Sequence, residues 1–166
     1  MNLMKNSIQR NVVTMIIAVF VMALNINAQE SKNEKIVIGK NDPWKASQVI
    51  TPSQLAKELK SKKGIKPVVL HIGFDFLYNQ GHVPGSKYIG PATNEKGMNA
   101  LKNYVKKLKK NANIVIYCGC CPMNHCPNVR PAFEALEKMG YKNAKLLYLP
   151  DDFDQDWAQQ GYPVQK

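Results

Sequence analysis

From Ile114 to Ala135 the chain reads Ile-Val-Ile-Tyr-Cys-Gly-Cys-Cys-Pro-Met-Asn-His-Cys-Pro-Asn-Val-Arg-Pro-Ala-Phe-Glu-Ala. Ile114 to Tyr117 is a short β-branched and aromatic run of the buried-strand type, and Cys118 follows it without a spacer. From Asn128 the pattern turns helical, with Val129, Phe133, Leu136 and Met139 or Tyr141 at three- to four-residue intervals and Gly140 near the C-cap. A thiol therefore sits at a strand end and faces a helix start that carries Arg130. Free N–H groups and partial positive charge at a helix start, joined by a guanidinium, favour the thiolate, which is the nucleophilic form of cysteine. The same cradle suits an oxyanion. All four cysteines of the chain, Cys118, Cys120, Cys121 and Cys126, lie in this stretch.

Residues 1–28 read as a secretory signal peptide. Lys5 and Arg10 precede an uncharged apolar run from Val12 to Leu24, and Ala28 supplies a small residue at the cleavage point. The run is shorter than the roughly 20 residues that span a bilayer, and no cysteine near the cleavage point offers a lipid anchor. The expected product is periplasmic or secreted, with no stable membrane span once the signal is removed. Its loss takes two basic residues and no acidic one from the formal net charge of +11 on the 166-residue chain, leaving +9. Lysines carry most of that excess, clustered at 57–66 and 102–110. In the second cluster Leu101, Tyr104, Val105 and Leu108 form an apolar helical face, so the lysines occupy the solvated side. An exported chain without interleaved aromatic residues is not expected to bind nucleic acid.

Residues 29–47 are polar and lysine-rich around Ile36-Val37-Ile38, and read as a tether ending near Trp44. Residues 48–166 are long enough for one domain with its own core. Thr51-Pro52-Ser53-Gln54 is a helix start, with Thr51 as N-cap, Pro52 at the first helical position and Gln54 completing a capping box. That helix should run to about Lys62. Strands are expected at Val68 to Ile72, Lys87 to Ile89, Ile114 to Tyr117 and Leu146 to Leu149, with a short helix around Phe153 to Gln160. Alternating strands and helices predict an α/β fold: a mostly parallel sheet of about five strands flanked by helices, joined by right-handed crossovers. Ligands of such sheets bind beyond the carboxyl ends of the strands, where Cys118 falls.

With these pieces in order, the chain resembles the rhodanese-like family over about Thr51 to Val164. The resemblance rests on Gly81-His82-Val83-Pro84-Gly85-Ser86, which is similar to that family's Gly-His-Ile-Pro-Gly-Ala turn, and on the Ile-Val-Ile-Tyr-Cys strand. The Arg130 helix ending in Met139-Gly140-Tyr141 and the tail with Trp157 and Gly161-Tyr162-Pro163 complete it. It implies a catalytic cysteine that carries a persulfide during sulfur transfer between small-molecule or protein donors and acceptors, with loop amides holding the sulfur. No cofactor is implied. Two departures stand out. The family's Asp-x-Arg after the second strand is here His71-Ile72-Gly73, and eleven residues separate Cys118 from Arg130 where four are usual. Counting from the strand selects Cys118 as nucleophile, counting back from the arginine helix selects Cys126, and strand attachment favours Cys118.

The expected site is therefore Cys118 and Arg130 as catalytic residues, with Gly119, Cys120, Cys121, His125 and Cys126 forming an enlarged substrate loop. The extra cysteines admit a static disulfide, a redox or resolving role toward a thiol-disulfide partner, or a soft metal such as Cu(I) near His125 or Met123. His82 reads as a turn-ordering residue, His71 as either a site or a core histidine, and Trp44 and Trp157 as core or lid packing. Asp151, Asp152, Asp154 and Asp156 lack the glycine and glutamate of a calcium loop, and no metal is assigned. Two functions remain in view: an exported sulfurtransferase drawing on thiosulfate or a persulfide, and a non-enzymatic redox or soft-metal-binding module.

Overall fold

The computed structural model describes residues 36–166, so the expected signal peptide and the first part of the expected tether lie outside the described residues. Five strands, β1 (Val49–Ile50), β2 (Val68–His71), β3 (Lys87–Tyr88), β4 (Ile114–Tyr117) and β5 (Ala144–Leu147), form one sheet in the order β1-β5-β4-β2-β3. Every pairing is parallel. Helices α1 (Pro52–Lys60), α2 (Asp75–Gln80), α3 (Glu95–Val105) and α4 (Val129–Lys138) connect them, and a π-type turn spans Asp154–Ala158. This is the expected α/β architecture.

The pleat of β4 divides two cores, because successive side chains point to opposite faces. Ile114, Ile116 and Cys118 join Leu101 and Val105 of α3 and Phe133 and Leu136 of α4. Val115 and Tyr117 face the other way, into Leu55 and Ala56 of α1 and Trp157 of the closing turn. With both faces covered, β4 is buried along its whole length, which explains its unbroken apolar run.

Local chemistry sets the boundaries. Thr51 Oγ1 accepts from the Gln54 N–H at 3.3 Å, and Gln54 Oε1 accepts from the Thr51 N–H at 3.0 Å, as the capping box requires. α1 ends at Lys60 rather than Lys62. The last strand begins two residues earlier than expected, since Ala144 pairs with Ile114 while the Tyr148 N–H turns to the Ile50 carbonyl. β1 and α2 were not anticipated: two residues of strand and six of helix are too short for a periodicity to stand out.

From Ile36 onward the segment read as a tether packs against the domain. Trp44 is 3% exposed and meets Phe133 edge to face at 5.6 Å between ring centroids. Ile36 and Ile38 lie against the same core, and the Val37 N–H donates to Tyr148 Oη at 3.2 Å. Polar composition concealed this because only two isoleucines and one tryptophan make the apolar contact.

Replacing Thr51 with Ala removes one half of the cap and should lower stability by about 1 kcal/mol. Urea unfolding of the two proteins would show a shifted midpoint with an unchanged slope.

Candidate functional site

The two central strands end at the same level. β2 and β4 pair in register, with His71 opposite Tyr117, and the Ile72 N–H donates to the Tyr117 carbonyl at 2.9 Å. The next residues, Gly73 and Cys118, are thereby pressed together. A Cβ on Gly73 would stand 2.8 Å from Cys118 Sγ and 3.2 Å from the Cys118 carbonyl oxygen, closer than real Cβ contacts allow. Glycine thus occupies the position where the family places an arginine because no side chain fits over this thiol. Gly119 takes a φ of +70°, and a Cβ there would meet Phe153 Cβ at 2.6 Å.

Beyond this turn the four thiols gather, all free. Cys118 Sγ lies 3.3 Å from Cys120 Sγ, which is 3.0 Å from Cys121 Sγ and 3.9 Å from Cys126 Sγ. Asn128 fixes the group to the start of α4. Its Oδ1 accepts from the Thr93 N–H at 3.1 Å and from Thr93 Oγ1 at 3.0 Å, so its Nδ2 is left to donate to Cys118 Sγ at 3.4 Å. Asn128 is fully buried. Neither it nor Thr93 was singled out by the sequence; the signal available was an asparagine immediately before a helix in a cysteine loop.

The negative charge of the cluster belongs on Cys126. Hydrogen bonds from Cys118 and Cys120, then from the backbone N–H groups of Asn128 and Val129 at the helix start, hold its thiol well below the usual range against the opposing effect of burial. Cys118 moves the other way: its contact with Cys120 lowers its pKa, but the bond to Cys126 and burial together raise it. This corrects the expectation of a resting Cys118 thiolate. The helix start acts on the cysteine nearest to it in the chain.

Arg130, expected beside the thiol, is paired with a carboxylate. Its Nη2 and Nε donate to Asp42 Oδ1 at 2.6 and 3.1 Å, and its guanidinium carbon lies 5.6 Å from the Trp44 ring centroid. The Asp42 side chain is 4% exposed. The arginine therefore latches the Ile36–Trp44 segment to α4, and its hydrogen bonds among the described residues go to Asp42 rather than to the thiols.

A cleft of about 540 Å³ opens beside the cluster. It is lined by His71, Cys118, Gly119 and Cys120 from the strand ends, by Leu77, Gln80 and Gly81, and by Asp152, Phe153, Asp154, Ala158, Val164 and Lys166. Burial lowers the pKa of His71 to about 4 although its ring donates to the Cys118 carbonyl, so it is neutral at physiological pH. Its Nδ1 is buried with no hydrogen-bond partner among the described residues. His82 orders its turn as expected, with Nδ1 2.8 Å from the Tyr78 carbonyl oxygen. Tyr117 Oη ties that turn to β4 by accepting the Val83 N–H at 3.1 Å. His125 is exposed at the loop tip, and its N–H donates to the Pro122 carbonyl; it is not among the cleft residues. Cys121 and Cys126 also lie outside the cleft wall.

A parallel α/β sheet whose central strand runs into a cysteine loop, closed by the start of the next helix, defines a class of domain built around one strand-end thiol. The chain belongs to the rhodanese-like domain family, whose model matches residues 51–149. No match was found among curated proteins. Among solved structures, the Alr3790 protein from Anabaena sp. is 17% identical with a TM-score of 0.54, covering 70% of this chain and 81% of its own. The BH2092 protein from Bacillus halodurans is 20% identical with a TM-score of 0.54, over 72% and 77% of the two chains. The single-domain sulfurtransferase RDL2 of Saccharomyces cerevisiae is 19% identical with a TM-score of 0.52, over 70% and 93%. At these identities the likenesses carry the fold alone.

Two substitutions separate latch from thiol site. Arg130→Ala leaves the Asp42 carboxylate without its cation and should cost about 1.5–3 kcal/mol in stability, read from chemical unfolding, with the thiol reactivity of the cluster little changed. Gly73→Ala forces Cys118 aside; alkylation kinetics of the reduced protein should change at Cys118 while the far-UV circular dichroism stays native.

Proposed function

We propose that this rhodanese-like domain is a sulfurtransferase that takes sulfane sulfur from a persulfide donor onto Cys118 and passes it to a thiol acceptor. The observation that carries the reading is the placement of Cys118: a thiol at the carboxyl end of the central strand, lining a cleft, with a thiolate at Cys126 behind it. The Cys118 and Cys126 sulfurs lie within 4.8 Å of one another. The two thiols are close enough to titrate as one coupled pair, with Cys118 the member that faces the cleft. Cys118 and Cys126 share one proton and one negative charge, and in the minor form with the proton on Cys126 the Cys118 thiolate attacks the outer sulfur of a donor R–S–SH. The S–S bond of the donor breaks, R–S⁻ leaves and takes up a proton, and Cys118 holds the persulfide. An acceptor thiolate then attacks that outer sulfur and regenerates Cys118. No net oxidation occurs in the cycle.

Charge in the cleft selects among donors. Asp152 and Asp154 line it with Lys166 as the lysine among its lining residues, His71 is neutral, and Arg130 is held by Asp42. A doubly charged thiosulfate would meet carboxylates where an anion site needs cations, so a low-molecular-weight or protein persulfide is the better substrate. The signal-peptide pattern of residues 1–28 supports an activity outside the cytoplasm, in the periplasm or the medium, and the N-terminal residue of the exported protein should be Gln29.

Incubation of the reduced protein with a persulfide donor should add one sulfur, about 32 Da, removable by reductant. Cys118→Ser should lose the adduct. Cys126→Ser should keep the site but slow transfer about 10²- to 10⁴-fold, the scale of a lost general base. Because the Cys126 pKa is lowered, the wild-type rate should persist as pH falls below the ordinary thiol range near about 8.5, whereas Cys126→Ser should lose rate through that range. Persistence of the adduct in Cys118→Ser with its loss in Cys126→Ser would move the nucleophile to Cys126, and absence of any adduct in the wild type would end the sulfurtransferase reading.

A further inference from the structure

We propose that Cys118, Cys120 and Cys126 together bind one Cu(I) ion as a three-coordinate thiolate site. Their sulfurs all lie within 4.8 Å of one another, with separations of 3.3 Å for Cys118 to Cys120 and 3.9 Å for Cys120 to Cys126. Thiolates held about 2.3 Å from a shared ion stand roughly 4 Å apart when three surround it in a plane. The cluster is thus close to the spacing that a trigonal ion imposes, without movement of the backbone.

A second observation lies on the inner side of the loop. A void of about 10 Å³ is bordered by Cys118, Cys121, Met123 and Cys126, and otherwise by Gly119 and apolar side chains. Sulfur is the sole heteroatom that its lining side chains offer. A water needs two to four polar partners and at least about this volume, so the space is a poor water site. Two of the three proposed ligands, Cys118 and Cys126, border this dry space while Cys120 does not, so the void shows a soft, apolar setting on one side of the trio, of the kind Cu(I) prefers, and the sulfur spacing alone selects the ligands.

Charge and coordination number narrow the choice. Binding replaces thiol protons with the ion, the protons leave to solvent, and no electron moves. The negative charge that remains is met by N–H groups already aimed at sulfur: Asn128 Nδ2 on Cys118 and the Asn128 and Val129 backbone N–H groups on Cys126. Zn(II) asks for four tetrahedral ligands. A fourth thiolate would have to come from Cys121, whose sulfur is 3.0 Å from that of its chain neighbour Cys120, and His125 is exposed at the loop tip.

The proposal is independent of the sulfur-transfer reading, although both use Cys118 and so exclude each other on one molecule. The test is anaerobic titration of the reduced full chain with Cu(I) in the presence of a chromophoric Cu(I) chelator. One equivalent should be withheld from the chelator, X-ray absorption should show a shell of three sulfurs, and Cys118→Ser, Cys120→Ser and Cys126→Ser should each weaken retention by more than about tenfold, whereas Cys121→Ser should not. If the serine variants fail to fold, the wild-type shell decides alone. Surrender of all copper to the chelator, a shell containing nitrogen or oxygen, or Zn(II) held by four sulfurs would overturn the site. Copper retained by a chain that forms no persulfide would sink only the transfer reading; a persulfide formed by a chain that surrenders copper would sink only this one.

Discussion

The parallel register of β2 against β4 is the constraint from which the site follows. It brings His71 level with Tyr117, so the chain leaves both strands at one height and Gly73 passes directly over Cys118. Shifting that register by one residue would exchange the two cores, since each residue of β4 belongs to the face opposite its neighbours. The apolar content of Ile114, Ile116, Leu101 and Phe133 therefore also determines where a thiol emerges. Packing fixes the position of the chemistry before any polar residue contributes.

Polar groups then divide the work. Thr93 orients Asn128, and Asn128 orients Cys118, so a single buried amide links the start of α4 to the end of β4. The free N–H groups of the helix start turn to Cys126. The hydrogen bonds to the cluster come from neutral groups, and the guanidinium of Arg130 is satisfied by Asp42. A thiolate held by N–H dipoles rather than by guanidinium retains a site without a strong preference for anions, which fits a cleft edged by carboxylates.

Much of this was legible in the sequence, and the reasons are specific. The capping box at Thr51, the buried run of β4 and the helical period after Asn128 are local signals, and each appears in the structure close to where its residues predict. The Gly81–Ser86 turn and the tail carried enough pattern to indicate the family. What escaped was set by contacts distant in sequence: Asp42 with Arg130 is separated by 88 positions, and Thr93 with Asn128 by 35. The helix-start argument attached the charge to Cys118 because strand attachment is visible in sequence and the path of the eleven-residue loop between β4 and α4 is not. Gly73 looked like the loss of a functional arginine; in the fold it is a clearance requirement.

The latch between Asp42 and Arg130 bears on what counts as the domain. The family model begins at residue 51 and ends at residue 149, yet Trp44 covers Phe133 before that span and Trp157 closes the opposite core after it, with its indole N–H on the Pro163 carbonyl. The unit that recurs among relatives and the unit that buries its own apolar surface are therefore different lengths of chain. Fragments cut at the family boundaries would carry every cysteine and still uncover apolar surface in both cores, so a portable piece for grafting or fusion has to include the Asp42–Trp44 latch and the tail through Pro163.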